Sequence, residues 1–278
     1  MAEEKINMEE MPLLEYIWRN DYQIVVWKKG KRDSSFPTIF GNGFILQYED
    51  EYVFVTADHV IHKLDYEVGE RTGKEYDYSL VNNIAGEGLS TMFTNIFGFN
   101  FTDSYDFGKY MLGQEDLDVA MIPYLEDYAV SFIGKSLPAP FMTHELILDE
   151  VKVAPHLPKL YLKQECIGLP QEGKKYLTMG VLHKRFNGVV WERENMCHFN
   201  IEYDREAMGM YKFLYYRPII EDEWSGLSGA PFFDEDGHLI GMVIRVVDGE
   251  NIIWVMPINK ILNFNRITKQ IEKLSTKA

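Results

Sequence analysis

Short apolar runs of about four to eight residues, each closed by glycine or charged turns, constrain the fold of this chain more than any other feature. Gln23-Ile24-Val25-Val26-Trp27 ends on the basic turn Lys28-Lys29-Gly30-Lys31-Arg32. Phe40-Gly41-Asn42-Gly43-Phe44-Ile45-Leu46 leads through Glu49-Asp50-Glu51 into Tyr52-Val53-Phe54-Val55-Thr56. Rich in β-branched and aromatic side chains, such runs read as strands of an all-β barrel or sandwich. Further runs lie at 159–162, 176–179, 188–191, 211–216, 241–247 and 252–256. A helical period takes over only after Pro257, with apolar residues at Ile258, Ile261, Leu262, Ile267, Ile271 and Leu274. Residues 63–115 fit neither period and read as long loops or an insertion carrying a short helix.

Composition narrows the function classes. The chain has 278 residues, 46% of them hydrophobic, enough for a large core, and a net charge of −15. That charge disfavours a phosphate backbone or an anionic membrane surface as main partner, so neither nucleic acid nor membrane is expected. The acidic start lacks an apolar signal region, and no run of about 18 apolar residues occurs. The expectation is a soluble, cytoplasmic protein. Cys166 and Cys197 are the two cysteines, and the sequence leaves open whether they pair. Asn100-Phe101-Thr102 fits a glycosylation acceptor but reads as a chance match in a protein that is not secreted.

The most chemically informative stretch is Trp224-Ser225-Gly226-Leu227-Ser228-Gly229-Ala230-Pro231. Two glycines around Ser228 permit a tight turn that exposes backbone N–H groups. Behind it, Asp236-Gly237 joins two apolar runs as a two-residue hairpin would. A serine presented in this way can serve as a nucleophile, provided a base and an orienting acid lie elsewhere. Thr56-Ala57-Asp58-His59-Val60 puts His59 just past a strand end, suited to a general base. His59 and His62, three apart, are also compatible with a metal pair, although no third ligand accompanies them. Leu117-Asp118-Val119-Ala120 embeds a carboxylate in an apolar run, where an imidazole N–H is a natural partner. Taken alone, Asp118 also reads as an ordinary strand-start residue.

Together and in the order His, Asp, Ser, these blocks resemble the trypsin-like (chymotrypsin-fold) serine proteases. Gly41-Asn42-Gly43-Phe44-Ile45 also resembles the strand that precedes the family's histidine. The resemblance implies two packed antiparallel six-stranded β-barrels with a C-terminal α-helix. It divides the chain into a lead-in (1–20), a first barrel (21–135), a linker marked by Pro138, Pro140, Pro155 and Pro158 (136–158), a second barrel (159–257) and a helix (258–278) packed on that barrel. It implies a serine endopeptidase with His59 as base, Asp118 as its orienting acid and Ser228 as nucleophile. The N–H groups of Gly226 and Ser228 would form the oxyanion hole. Protein or peptide substrates are expected, with no cofactor and no metal, and regulation by a partner protein is compatible with the reading.

The departures from the family matter too. No cysteine flanks His59 or the nucleophile loop. Leu227 stands where secreted digestive relatives carry the aspartate that receives a newly cut N-terminus, so maturation by clipping residues 1–20 is not expected. In these respects the chain looks closer to intracellular, viral or Deg-type members. Asp222, six residues before Ser228, falls where relatives place the acid of a pocket for Arg or Lys, and Val246 falls at the pocket mouth. Against this, Glu221-Asp222-Glu223 also reads as a solvated acidic turn. An alternative function is the same fold used as a binding or scaffolding module without catalysis.

Overall fold

The structure is a computed structural model that describes residues 11–31, 37, 39–62, 76–83, 91–94, 101–103, 127–137, 141–143, 145–148, 151–154, 156–186 and 191–275. It opens on a helix, α1 (Leu13–Asn20), preceded by Pro12. Ile17 and Trp18 are fully buried, and Tyr16 meets Phe233 of the second barrel edge-on at 5.9 Å. The segment expected as a lead-in therefore holds a clamp between lobes. Removing so large a buried side chain leaves a cavity, so Trp18→Ala should lower stability by about 3–5 kcal/mol in urea denaturation.

The N-terminal sheet consists of β1 (Tyr22–Lys28), β2 (Ile39–Tyr48), β3 (Glu51–Thr56), β4 (Tyr76–Asn83), β5 (Thr91–Thr94), β6 (Phe101–Asp103) and β7 (Ala129–Gly134), in the order β5-β4-β1-β2-β3-β7-β6. Among the described residues it is a half-barrel sheet of seven strands. In 63–115 the described parts are strands; the expected loops, short helix and Asn100 site otherwise lie outside the described residues. Strand β1 is buried on both faces. Ile24 and Val26 join the main core, while Val25 and Trp27 pack with Val81 and Phe40 on the other side. A helical turn, α2 (Asp58–Ile61), follows β3 directly.

The expected linker is itself packed structure. It carries the hairpin β8 (Leu146–Leu148) and β9 (Val151–Val153), with Phe141, Leu146 and Val153 buried in the core shared by both lobes. The run at 159–162 forms only a parallel bridge, Leu46 to Leu162, instead of a strand.

The second lobe is a closed barrel: β10 (Lys175–Phe186), β11 (Trp191–Ala207), β12 (Met210–Leu214), β15 (Ile252–Pro257), β14 (Leu239–Val246) and β13 (Pro231–Asp234), in that spatial order. Its interior is aromatic, with Phe213 4.8 Å from Tyr176 and 4.6 Å from Phe232 between ring centroids. Closure removes the exposed sheet edges that would invite mispairing. The β13–β14 connection is a three-residue loop, Glu235-Asp236-Gly237, closed by Asp234 N–H to the His238 carbonyl at 3.0 Å. The Asp234 carboxylate accepts the Asp236 and His238 N–H groups, which favours this wider turn over the two-residue hairpin expected.

The C-terminal helix α3 (Ile258–Ser275) bridges the lobes instead of lying on the second barrel alone. Ile258 and Ile261 are buried, and Phe264 meets Tyr128 of the first lobe at 5.1 Å. Lys269 pairs with Glu51 at 2.7 Å. Ile267, expected on the apolar face, is exposed, and the side chains of Ile271 and Leu274 lie outside the described residues. No described helix is long and apolar enough to cross a membrane. Neither cysteine forms a disulfide, and burial pushes the Cys197 thiol up to about 12.

Candidate functional site

His59 sits in α2, directly after the end of β3, with 26% of its side chain exposed. Its Nδ1 lies 2.6 Å from Oδ2 of Asp127, whose Oδ1 also accepts the His59 backbone N–H at 3.1 Å. Asp127 is 3% exposed and lies two residues before β7, which pairs with β3 through Ala129 and Thr56. Ring and carboxylate are thus fixed by adjacent strands of one sheet. Among the described residues, the carboxylate on the imidazole is Asp127; Asp118, to which the sequence pointed, lies outside the described residues. A signal for Asp127 was present: Asp127-Tyr128-Ala129-Val130 repeats the Asp-x-Ala-apolar pattern of Asp118-Val119-Ala120-Met121, nine residues on.

Burial alone would pull the His59 pKa down. The charge and hydrogen bond of Asp127, with the Asp58 charge behind them, outweigh it and raise the value above 6.5, while Arg245 acts in the opposite direction. Asp58 is held in turn by His62, Oδ1 to Nδ1 at 2.7 Å. The two histidines weighed as a metal pair thus engage two different carboxylates through Nδ1.

Ser228 is carried on the turn between a 3₁₀ turn at Glu221–Glu223 and β13. Gly226 and Gly229 take φ of 102° and 88°, in the left-handed region that favours glycine. At Gly229 a Cβ would lie 2.0 Å from the Asn42 carbonyl oxygen and 2.7 Å from Thr56 Oγ1. This packing brings the serine turn against β2 and the end of β3, three residues before His59. The Gly226 and Ser228 N–H groups donate to no acceptor among the described residues, whereas Leu227, Gly229 and Ala230 N–H donate to Trp224, Val243 and Leu227 carbonyls. Two free donors beside a serine are what a developing oxyanion requires.

Asn42 ties this arrangement together, and sequence reasoning took it only as the residue between two glycines. Its N–H donates to the Ser228 carbonyl at 3.0 Å, and its Nδ2 donates to the Gly226 carbonyl at 2.5 Å. Its Oδ1 accepts the Val181 N–H at 3.1 Å, and its carbonyl accepts Thr56 Oγ1 at 2.7 Å. One fully buried side chain thus joins β2, β10 and the serine turn. Asn42→Ala should strand several of these groups without partners, lowering stability by about 2–4 kcal/mol in urea denaturation.

Beneath the turn, the Trp224 indole stacks on His198 at 3.7 Å and 9° between planes. His198 faces the Tyr215 hydroxyl through Nδ1 at 3.1 Å and the Glu223 carbonyl through Nε2 at 3.0 Å. Burial lowers its pKa to about 4, so it is neutral at physiological pH. Sequence reasoning did not single it out, since it falls in a charged stretch.

Asp222 does not form the floor of a desolvated pocket. It is exposed on the 3₁₀ turn, where solvent screens its charge, so the solvated reading of Glu221-Asp222-Glu223 is the one observed. Val246 is half-buried against the barrel core. One group of described side chains has metal-ligating atoms close together, Asp234, Asp236 and His238. The Lys174 ammonium lies 2.9 Å and 2.6 Å from its two carboxylates and already balances their charge.

No protein-family model and no curated protein matches the sequence. Among solved structures, the chain is similar to the scabies mite inactivated protease paralogue S-D1, at 13% identity over 92% of this chain and 94% of that one, with a TM-score of 0.48. The MamO protease domain from Magnetospirillum magneticum shares 11% identity over 90% and 98%, with a TM-score of 0.44. Tobacco vein mottling virus protease shares 8% over 89% and 80%, with a TM-score of 0.42.

Proposed function

We propose that this chain is a serine endopeptidase in which His59 is the general base, Asp127 its orienting acid and Ser228 the nucleophile. The observation that carries the reading is the 2.6 Å contact between His59 Nδ1 and Asp127, just past the end of β3 against which the Ser228 turn packs. Asp127 accepts a hydrogen bond from Nδ1–H, which keeps that proton on Nδ1 and leaves Nε2 basic. Nε2 takes the proton of Ser228 as Oγ attacks the substrate carbonyl. The oxyanion accepts hydrogen bonds from Gly226 and Ser228 N–H. His59 then protonates the leaving amine, and water, activated in the same way, releases the acyl group. A fluorophosphonate probe should label Ser228, and both Ser228→Ala and His59→Ala should abolish labelling. A folded wild-type protein that takes up no probe would overturn the assignment.

Activation by N-terminal clipping finds no support in the local chemistry. Leu227 is fully buried in the barrel core and offers no carboxylate to a new ammonium group. Since α1 also supplies buried core, a protein starting at residue 21 should be less stable and gain no turnover. A large rise in turnover on that truncation would contradict this.

A further inference from the structure

Strand β14 loses a neighbour where it reaches the serine turn. Its pairing with β13 ends at Met242 opposite Pro231, and beyond that only Val243 bonds to the turn, through Ala230 and Gly229. Its other side stays paired with β15 as far as Val246 opposite Ile253. Residues 244–246 therefore present, among the described residues, an open strand edge that starts at the proposed nucleophile. An extended peptide can add to such an edge.

The side chains along this edge divide sharply. Ile244 is 5% exposed and packs into the core, whereas Arg245 points to solvent. Arg245 lies two residues beyond Val243, whose N–H and carbonyl bond Ala230 and Gly229 of the serine turn, and its positive charge acts against protonation of His59. Among the described residues Arg245 has no ion pair, although acidic side chains outnumber basic ones 43 to 28 in this chain. An arginine without an ion pair among the described residues, on the edge a substrate would use, can meet a carboxylate brought by that substrate.

We propose that Arg245 selects substrates carrying an aspartate or glutamate side chain within about three residues of the scissile bond, the reach of a short extended peptide laid along this edge. This rests on the peptidase reading and reverses the basic preference that Asp222 suggested from sequence. The planar guanidinium favours a carboxylate over its amide isostere through charge-assisted, often bidentate hydrogen bonds.

A peptide library randomised around the cleavage site tests the proposal, with cleaved bonds read by mass spectrometry. Asp or Glu should exceed Asn or Gln at one position by about tenfold in kcat/KM, the size expected of a hydrogen bond to a charged group. Arg245→Gln should bring that ratio near one, and Arg245→Glu should favour Lys there. The same library enriched on immobilised Ser228→Ala protein reads the preference without cleavage. Acidic peptides should be retained, and the Arg245→Glu change should remove that retention. In NMR titration, Arg245→Gln should raise the His59 pKa, because a nearby positive charge is lost. No acidic preference in either format, or one unmoved by Arg245→Glu, overturns the proposal even where Ser228 reacts with the probe. Retention of acidic peptides by a protein whose Ser228 takes up no probe would instead keep Arg245 as a binding determinant and discard the peptidase reading.

Discussion

Replacing Ser228 by alanine is expected to lower kcat for peptide hydrolysis by about 10⁵- to 10⁶-fold, with His59→Ala costing nearly as much. The two losses should not add, because nucleophile and base act in a single proton transfer. Removing either ends it, and the double variant should be little worse than each alone. The fold should survive both changes. Among the described residues, Ser228 is held through its backbone carbonyl by Asn42 and not through its hydroxyl, and the His59 ring is partly exposed. Unfolding midpoints close to wild type would separate lost chemistry from lost structure. Cleavage by a clean preparation of Ser228→Ala at the wild-type rate would remove serine from the mechanism.

The parts of this fold legible in the sequence are those where one physical signal acts alone. Strands β2, β3, β14 and β15 are dense in apolar residues and stand within a few residues of where the apolar runs put them. The serine turn was legible because glycine at 226 and 229 has a backbone reason, borne out by positive φ at both. Strand β11 was missed. Its sequence is charged, and Asn200, with φ of 59°, marks a bulge between the pairs Tyr176–Ile201 and Thr178–His198. The bulge resets the alternation, so Phe199 is exposed while His198 and Ile201 are buried, and no period of two survives. Strand β4 was hidden because Tyr76-Asp77-Tyr78-Ser79 mixes polar and aromatic residues in a stretch that reads as turn-rich. Asn42 was illegible for another reason. Its importance lies in partners more than a hundred positions away, Val181 and Gly226, and local pattern carries no information about them.

The sequence pointed to Asp118, while Asp127, which opens a run of the same pattern, went unread; the pairing of β3 with β7 brings Asp127 to the His59 ring. Asp127→Asn is accordingly expected to reduce kcat by about 10⁴-fold. An asparagine can present its N–H₂ to Nδ1, which favours the tautomer with the proton on Nε2, the nitrogen that must accept the serine proton. Asp118→Asn should change kcat by no more than about twofold, since the single Nδ1 proton already has its acceptor. The pH profile supplies an independent check. Catalysis needs neutral His59, so kcat/KM rises as pH climbs through the pKa of that ring. In the wild type, Asp127 counters the downward pull of burial and raises this pKa; without its charge, burial and Arg245 pull the value down. The acidic limb of the residual activity should therefore move to lower pH in Asp127→Asn and stay in place in Asp118→Asn. A collapse in Asp118→Asn beside a mild effect in Asp127→Asn, with the acidic limb moving only in the former, would return the orienting role to Asp118.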